Sequence, residues 1–259
     1  MAKIEYNGQY YYEQGFNYFY GKGVAVNYVE AAKNYQYGAA KGHAAAQTSL
    51  GYCYENGKGV PKDLAKAVYW YQEAAKQGYA CAQCNLGICY ETGIGVTINF
   101  DEAAKWYKKA AEQGYAKGLF GLGNCYRLGN GVKQNYTKAA NLFKEAAEKG
   151  HAGAQNNLGY CYEHGRGVKQ DYSLAEKWYA LGAKNGDAYA KNNVIKIREK
   201  IQQSQPAPKK SEEPVPQKAP KKPADDFVPL KRKEEPAPQK AHDIEYYYDE
   251  ETKQIRVKR

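Results

Sequence analysis

The sequence predicts an all-α fold: a solenoid of stacked helical hairpins, followed by a tail of different character. Three observations predict it. A Gly-x-Gly-Val element recurs as Gly21-Lys22-Gly23-Val24, Gly57-Lys58-Gly59-Val60, Gly93-Ile94-Gly95-Val96, Gly129-Asn130-Gly131-Val132 and Gly165-Arg166-Gly167-Val168, so the period is 36 with no insertion or deletion. A fixed period in this range marks repeats that each pack only on their neighbours. The second observation is helical spacing: Ala31, Ala67, Ala103, Ala139 and Ala175 are each followed four residues later by an aromatic, and four residues after that by another alanine. The third is a change of composition. Of the 10 prolines only Pro61 precedes residue 204, and of the 27 tyrosines all but Tyr246, Tyr247 and Tyr248 precede it too.

Residues 79–114 serve as the example unit. A first helix is expected from about Ala80 to Thr92, then the glycine loop, then a second helix from near Asn99 to Gly114. Asn27, Asp63, Asn99, Asn135 and Asp171 share one repeat position. They are predicted N-caps, because a short side-chain oxygen accepts from a free first-turn N–H. Glu30 and Glu102 stand three residues after two of them and predict capping boxes there. Gly42, Gly78, Gly114, Gly150 and Gly186 stand where a left-handed residue ends a helix.

In the second helix, Tyr35, Tyr71, Tyr107, Phe143 and Tyr179 sit between their alanines, forming one buried face. In the first helix, Leu50, Leu86, Leu122 and Leu158 recur, each followed by a glycine, and Tyr54, Tyr90, Tyr126 and Tyr162 recur too. The first unit departs from this pattern: Gln14 replaces the leucine and Asn17 the cysteine, as expected of a polar end cap. Residues 187–203 predict a final helix that closes the other end. Five helix pairs and a closing helix thus fill residues 1–203.

This pattern resembles the Sel-one-like repeat (SLR) family, relatives of the tetratricopeptide repeats. Asn157-Leu158-Gly159-Tyr160-Cys161-Tyr162-Glu163, then Gly165-Arg166-Gly167-Val168, Asp171 and Ala175, carry the resemblance, which covers about residues 5–203. It implies a right-handed α/α superhelix with a concave groove, used as an adaptor or scaffold for protein complexes, and it implies no catalysis by itself. Some relatives are associated with β-lactam binding or hydrolysis, so a β-lactamase-like enzyme is the alternative.

Charge and chemistry narrow the function classes. The net charge is +10, but the lysines are scattered along helices rather than clustered, so nucleic acid is not the expected partner. No run of about 20 apolar residues is present, and no apolar segment follows the N-terminus in the manner of a signal peptide. A cytoplasmic monomer with protein or peptide partners is expected. Cys53, Cys89, Cys125 and Cys161 share one repeat position beside the core face, and three of those four units have no other cysteine. Secreted relatives with bridged helix pairs carry two per repeat, so reduced core thiols are expected here. Cys81-Ala82-Gln83-Cys84 has neither the βαβ setting of a redox motif nor the second pair of a zinc site. No nucleophile–base pair, phosphate loop or metal motif stands out, and no cofactor or metal is expected.

Binding residues are sought where the units differ on the first helix. Three sets vary: Ser49, Asn85, Gly121, Asn157; Tyr52, Ile88, Asn124, Tyr160; and Asn56, Thr92, Leu128, His164. Their i, i+3, i+7 spacing puts them on one face. Asn85, Asn124, Asn157, Tyr52 and Tyr160 are the expected peptide contacts, because an amide bonds a peptide backbone at both ends and tyrosine adds rigid apolar area with a polar tip.

Residues 204–242 are rich in Pro, Lys, Glu and Ala and are expected to be a disordered linker. Within it Phe227, Val228 and Leu230 form an apolar island, a candidate docking motif. Residues 243–259 alternate like two strands around a turn, a possible hairpin able to add to a partner's sheet.

Overall fold

A computed structural model describes residues 6–204, together with the strands at residues 246–249 and 254–257. The chain divides into two units, residues 1–207 and 208–259. Among its described residues the first unit holds eleven helices: α1 (Gly8–Tyr20), α2 (Tyr28–Ala40), α3 (Ala44–Asn56), α4 (Leu64–Lys76), α5 (Ala80–Thr92), α6 (Phe100–Glu112), α7 (Ala116–Leu128), α8 (Tyr136–Glu148), α9 (Ala152–His164), α10 (Tyr172–Lys184) and α11 (Ala188–Ser204). Odd and even helices pair into five hairpins, each even helix packs on the next odd one, and α11 closes the row. First helices also touch first helices across the stack, as α1 with α3 and α5 with α7. This is an α/α solenoid. In the second unit, β1 (Tyr246–Asp249) pairs antiparallel with β2 (Gln254–Val257), with Tyr246 opposite Val257 and Asp249 opposite Gln254. The expected linker, with Phe227, Val228 and Leu230, lies outside the described residues.

Side chains fix where the second helices begin. Asn27, Asp63, Asn99, Asn135 and Asp171 each accept a first-turn N–H through Oδ1, for example from Glu102 N at 3.0 Å and Leu174 N at 2.9 Å. The expected capping boxes are corrected here. The backbone N–H that a box glutamate would accept instead donates to a first-helix carbonyl, Asn27 to Tyr18 and Asn99 to Tyr90, at 2.9 and 2.8 Å. With that donor taken, Glu102 pairs with Lys105 at 3.0 Å and Glu30 lies 3.8 Å from Lys33. All five units make the carbonyl bond, so the tyrosine backbone ties each second helix to its own first helix.

Packing of the core rests on one contact repeated five times. Gly51, Gly87, Gly123 and Gly159 lie flat against the rings of Tyr71, Tyr107, Phe143 and Tyr179, and a Cβ at any of them would sit 2.6–2.7 Å from a ring carbon. Gly15 and Tyr35 repeat it in the first unit. A mid-helix glycine costs about 0.5–1 kcal/mol, whereas fully burying a large apolar side chain contributes roughly 1.5–3 kcal/mol. The ring therefore wins, and the glycine is what lets it in. The second loop glycine does the same between units. A Cβ on Gly59, Gly95, Gly131 or Gly167 would run into the carbonyl of Tyr28, Leu64, Phe100 or Tyr136, the opening residue of the preceding second helix. The loop valine beside it then enters the core: Val60 packs with Ala31 and Tyr35, and Val96 with Ala67 and Tyr71. In the first unit Gly23 meets nothing and Val24 is 41% exposed.

Buried amides join the units further. Gln47, Gln83 and Gln155 each donate to a carbonyl near the end of the preceding second helix, Ala39, Ala75 and Ala147. Their own Oε1 accepts from Gln77, Gln113 and Asn185 at 2.7–2.9 Å. At the far end, Ile195 of α11 stands 36 residues after Gly159 and is 60% exposed. No second helix follows α11 among the described residues to bring an aromatic ring against it, so a branched side chain is tolerated there.

Candidate functional site

The first helices carry a row of mostly half-exposed residues, in which Asn124 alone of the five at its position is buried. Phe16, Tyr52, Ile88, Asn124 and Tyr160 occupy one position of it, and Tyr20, Asn56, Thr92, Leu128 and His164 the position four residues on. The row differs from the core in chemistry as well as burial. Leu50, Leu86 and Leu158, two residues before it, are fully buried, whereas Phe16, Tyr52, Ile88 and Tyr160 are half-buried.

The five expected contact residues fall into different surroundings. Tyr52 is half-buried with its ring edge-on to Phe19 at 6.0 Å, and burial raises its hydroxyl pKa. Tyr160 is half-buried between two cationic or titratable neighbours: His164 at 4.2 Å ring to ring, and the Arg166 guanidinium 5.2 Å over its ring. The Nδ1 of His164 lies 3.1 Å from the Tyr160 carbonyl, which only accepts, so Nδ1 carries the proton and donates. Asn124 is 9% exposed. Its Oδ1 accepts from Asn157 Nδ2 and from Arg127 Nε, both at 3.3 Å. The structure thus brings Asn124 and Asn157 together across two units. Asn85 and Asn157 are half-buried, in the position where Ser49 hydrogen-bonds Tyr35 and Gly121 presses on the Tyr107 ring. That position runs along the seam with the preceding unit.

The first unit extends the row with residues missing from the three sequence-derived sets. Tyr12, Glu13, Phe16 and Asn17 line a shallow cavity of about 160 Å³. Phe16 lies 4.6 Å from Tyr20, and Lys22 Nζ sits 4.7 Å over the Phe16 ring. The signal was present, since Phe16 and Tyr20 stand 36 residues before Tyr52 and Asn56. It was hidden because the unit had been set apart as an end cap.

The six cysteines are free thiols. Burial pushes Cys53, Cys89 and Cys125 up to about 12 and Cys161 up to about 11. Among the described residues no cluster of His, Cys, Asp and Glu is arranged to hold a metal ion, and no helix is long and apolar enough to cross a membrane.

Five successive matches to a family model described as Sel1 repeat cover residues 9–43, 44–79, 82–115, 116–151 and 152–187. The chain belongs to the Sel1 repeat family. The boundaries agree with the hairpins, each match taking in one first and one second helix. Among solved structures, this Sel1 repeat protein is similar to a Sel1 repeat protein from Oxalobacter formigenes, at 33% identity and TM-score 0.69, over 79% of this chain and 88% of that one. It is also similar to c5321, a protective antigen of uropathogenic Escherichia coli with an SLR fold, at 36% identity and TM-score 0.68. That match covers 74% of this chain and 41% of the antigen, so the present chain spans less than half of its length. A putative Sel1 repeat protein from Klebsiella pneumoniae shares the fold at 18% identity and TM-score 0.50. No curated protein matches the chain in sequence.

Proposed function

We propose that this Sel1 repeat protein is an interaction scaffold that holds an extended peptide along its first helices. One observation carries the reading: the half-exposed apolar row of Phe16, Tyr52, Ile88 and Tyr160, present in four of the five repeats, beside leucines that are fully buried. Regular spacing suits an extended partner whose side chains present themselves at intervals, and rigid rings lose little rotamer freedom on binding. Asn85 and Asn157 supply the polar contacts at the seams, and Asn124 orients Asn157 from behind. The partner is a protein or peptide, the scaffold acts as a monomer, and it needs no cofactor. Free thiols in the core suit a cytoplasmic setting.

The test is selection from a peptide library displayed on phage, with the full chain immobilised. Selected peptides are expected to lose at least tenfold in affinity for a Tyr52→Ala/Tyr160→Ala variant that melts within a few degrees of the parent. Equal affinity for parent and variant rejects this surface.

A further inference from the structure

Charge is divided unevenly between the two kinds of helix. Lysines of the second helices meet carboxylates of their own helix: Lys33 with Glu30, Lys76 with Glu73, Lys105 with Glu102, Lys108 with Glu112 and Lys144 with Glu148. The helices that carry the row are different. Together α1, α3, α5, α7 and α9 hold four carboxylates, Glu13, Glu55, Glu91 and Glu163. Each is already bonded within the fold. Gln9 donates to Glu13, and the tyrosines of the second helices donate to the other three. No unsatisfied anion of the first helices stands beside the row.

Cations reach the row from the glycine loops. The residue between the two loop glycines is Lys22, Lys58, Ile94, Asn130 and Arg166 in the five repeats. Lys22 Nζ lies 4.7 Å over Phe16, and the Arg166 guanidinium lies 5.2 Å over Tyr160 and 5.5 Å over Tyr136. Lys58 Nζ lies 4.6 Å over Tyr28. Tyr28 and Tyr136 open the second helices α2 and α8, so Lys58 and Arg166 hold equivalent places. Among the described residues none of these three cations forms an ion pair, and Lys22 and Arg166 are exposed. A ring face attracts a cation but offers it no oxygen, so the N–H donors remain for a carboxylate.

We infer that the peptide held along the first helices is acidic, its Asp or Glu side chains meeting Lys22, Lys58 and Arg166 while its apolar side chains meet the row. The inference rests on the scaffold reading above and adds the partner's charge to it. Cations in the first two repeats and the last, with Ile94 and Asn130 between, place the carboxylates toward the two ends of the bound segment. Complementary charge of this kind selects partners and sets their register more than it adds affinity. A single-stranded nucleic acid fits the same surface less well. Its bases stack on open ring faces, whereas Phe16 already has Lys22 over it and Tyr20 at 4.6 Å, and Tyr160 has Arg166 over it and His164 at 4.2 Å. Its phosphates also recur at every nucleotide, whereas the loop cation is missing from two successive repeats.

The experiment follows the fluorescence anisotropy of a labelled random copolymer of glutamate and tyrosine titrated with the full chain. A lysine–tyrosine copolymer and oligothymidylate are run beside it. The glutamate–tyrosine copolymer is expected to bind, less tightly as salt rises, and the lysine–tyrosine copolymer is not. Asparagine is the chain's own alternative at the loop position, as Asn130. Lys22→Asn/Lys58→Asn/Arg166→Asn is therefore expected to fold and to lose at least tenfold in affinity. Lys76→Gln/Lys108→Gln/Lys144→Gln removes the same charge from the second helices and is expected to lose less than twofold. No binding of the acidic copolymer, equal losses from the two triple variants, or tighter binding of oligothymidylate overturns the inference. Tyr52→Ala/Tyr160→Ala separates it from the reading on which it rests. Affinity lost in that variant but kept in the loop variant leaves the scaffold surface standing and overturns the acidic partner. Affinity kept in both overturns both.

Discussion

The hydroxyl of Tyr179 donates to Oε2 of Glu163 at 2.6 Å, from the second helix of its repeat to the first. Tyr71 does the same to Glu55 at 2.7 Å, and Tyr107 to Glu91. The fourth repeat changes both partners together, with Phe143 for the tyrosine and Arg127 for the glutamate. A buried carboxylate needs the hydroxyl, and a phenyl ring offers none; in the first repeat Phe19 stands at the glutamate position while Tyr35 keeps its hydroxyl, so the tyrosine does not demand the glutamate. Phe143→Tyr alone is expected to lower stability by about 1–2 kcal/mol, since it buries a hydroxyl with no acceptor waiting. Adding Arg127→Glu should recover part of it, with a coupling energy of about 0.5–1.5 kcal/mol in a double-mutant cycle by urea denaturation. Additive effects would mean that the pair carries no interaction of its own.

Gly23 and Gly59 allow a controlled comparison, because both have φ of +72°. Replacing either by alanine forces a left-handed residue, costing about 1–2 kcal/mol. Only Gly59 also lies against a neighbouring repeat, at the Tyr28 carbonyl; Gly23 meets nothing. Gly59→Ala is therefore expected to cost at least about 1–3 kcal/mol more than Gly23→Ala, the usual range for overpacking. Thermal melts of the two variants check it. Equal losses would show that the loop glycines serve their backbone angle alone.

Repetition explains what could be read in advance. The Ala67, Tyr71, Ala75 stripe and the Gly57 and Gly59 loop recur in register, so comparing repeats separated the packing residues from the rest. Contacts made by residues that differ from repeat to repeat left no such mark. Asn124 has the composition of a surface residue, and it is buried because Asn157 and Arg127 both bond its oxygen. The N-cap amides were assigned to glutamate partners by a local rule, while a tyrosine carbonyl nine residues upstream takes the bond. Ser49, Asn85, Gly121 and Asn157 vary as a ligand surface would, yet Ser49 and Gly121 meet the preceding aromatic ring. Variation at a seam reflects which ring must be met.

Gln83 tests whether the buried amides clamp the stack. It donates to Ala75 O at 3.4 Å and accepts from Gln113 at 2.8 Å. In the fourth repeat these two positions are Leu119 and Lys149. Gln83→Leu is expected to cost about 1–3 kcal/mol, because Gln113 and the Ala75 carbonyl lose their partner. Gln83→Leu/Gln113→Lys copies the native alternative and should be the more stable of the two in chemical denaturation. A double variant no better than the single one would show that the fourth repeat solves the problem in another way.

The glutamates of the tyrosine pairs should respond to acid in opposite senses. Burial raises the carboxyl pKa of Glu55 despite the Tyr71 bond. At Glu163 burial works in the same direction, but the bonds from Lys200, 2.6 Å away, and Tyr179 outweigh it and the net shift is downward. Folding favours ionised Glu163, so its contribution is present above the ordinary glutamate value of about 4.3 and is lost as pH falls through the lowered folded value. Folding favours protonated Glu55, so ionisation there weakens the fold at neutral pH, and the penalty is relieved as pH falls toward about 4.3. Melting temperatures from pH 7 to pH 3 for the parent, Glu163→Gln and Glu55→Gln resolve the two. Relative to Glu163→Gln, the parent's advantage at pH 7 should shrink below about pH 4. Relative to Glu55→Gln, the parent should improve as pH drops from 7 toward that value. A parent-minus-Glu163→Gln difference that stays flat with pH would mean that Lys200 does not hold an ionised carboxylate.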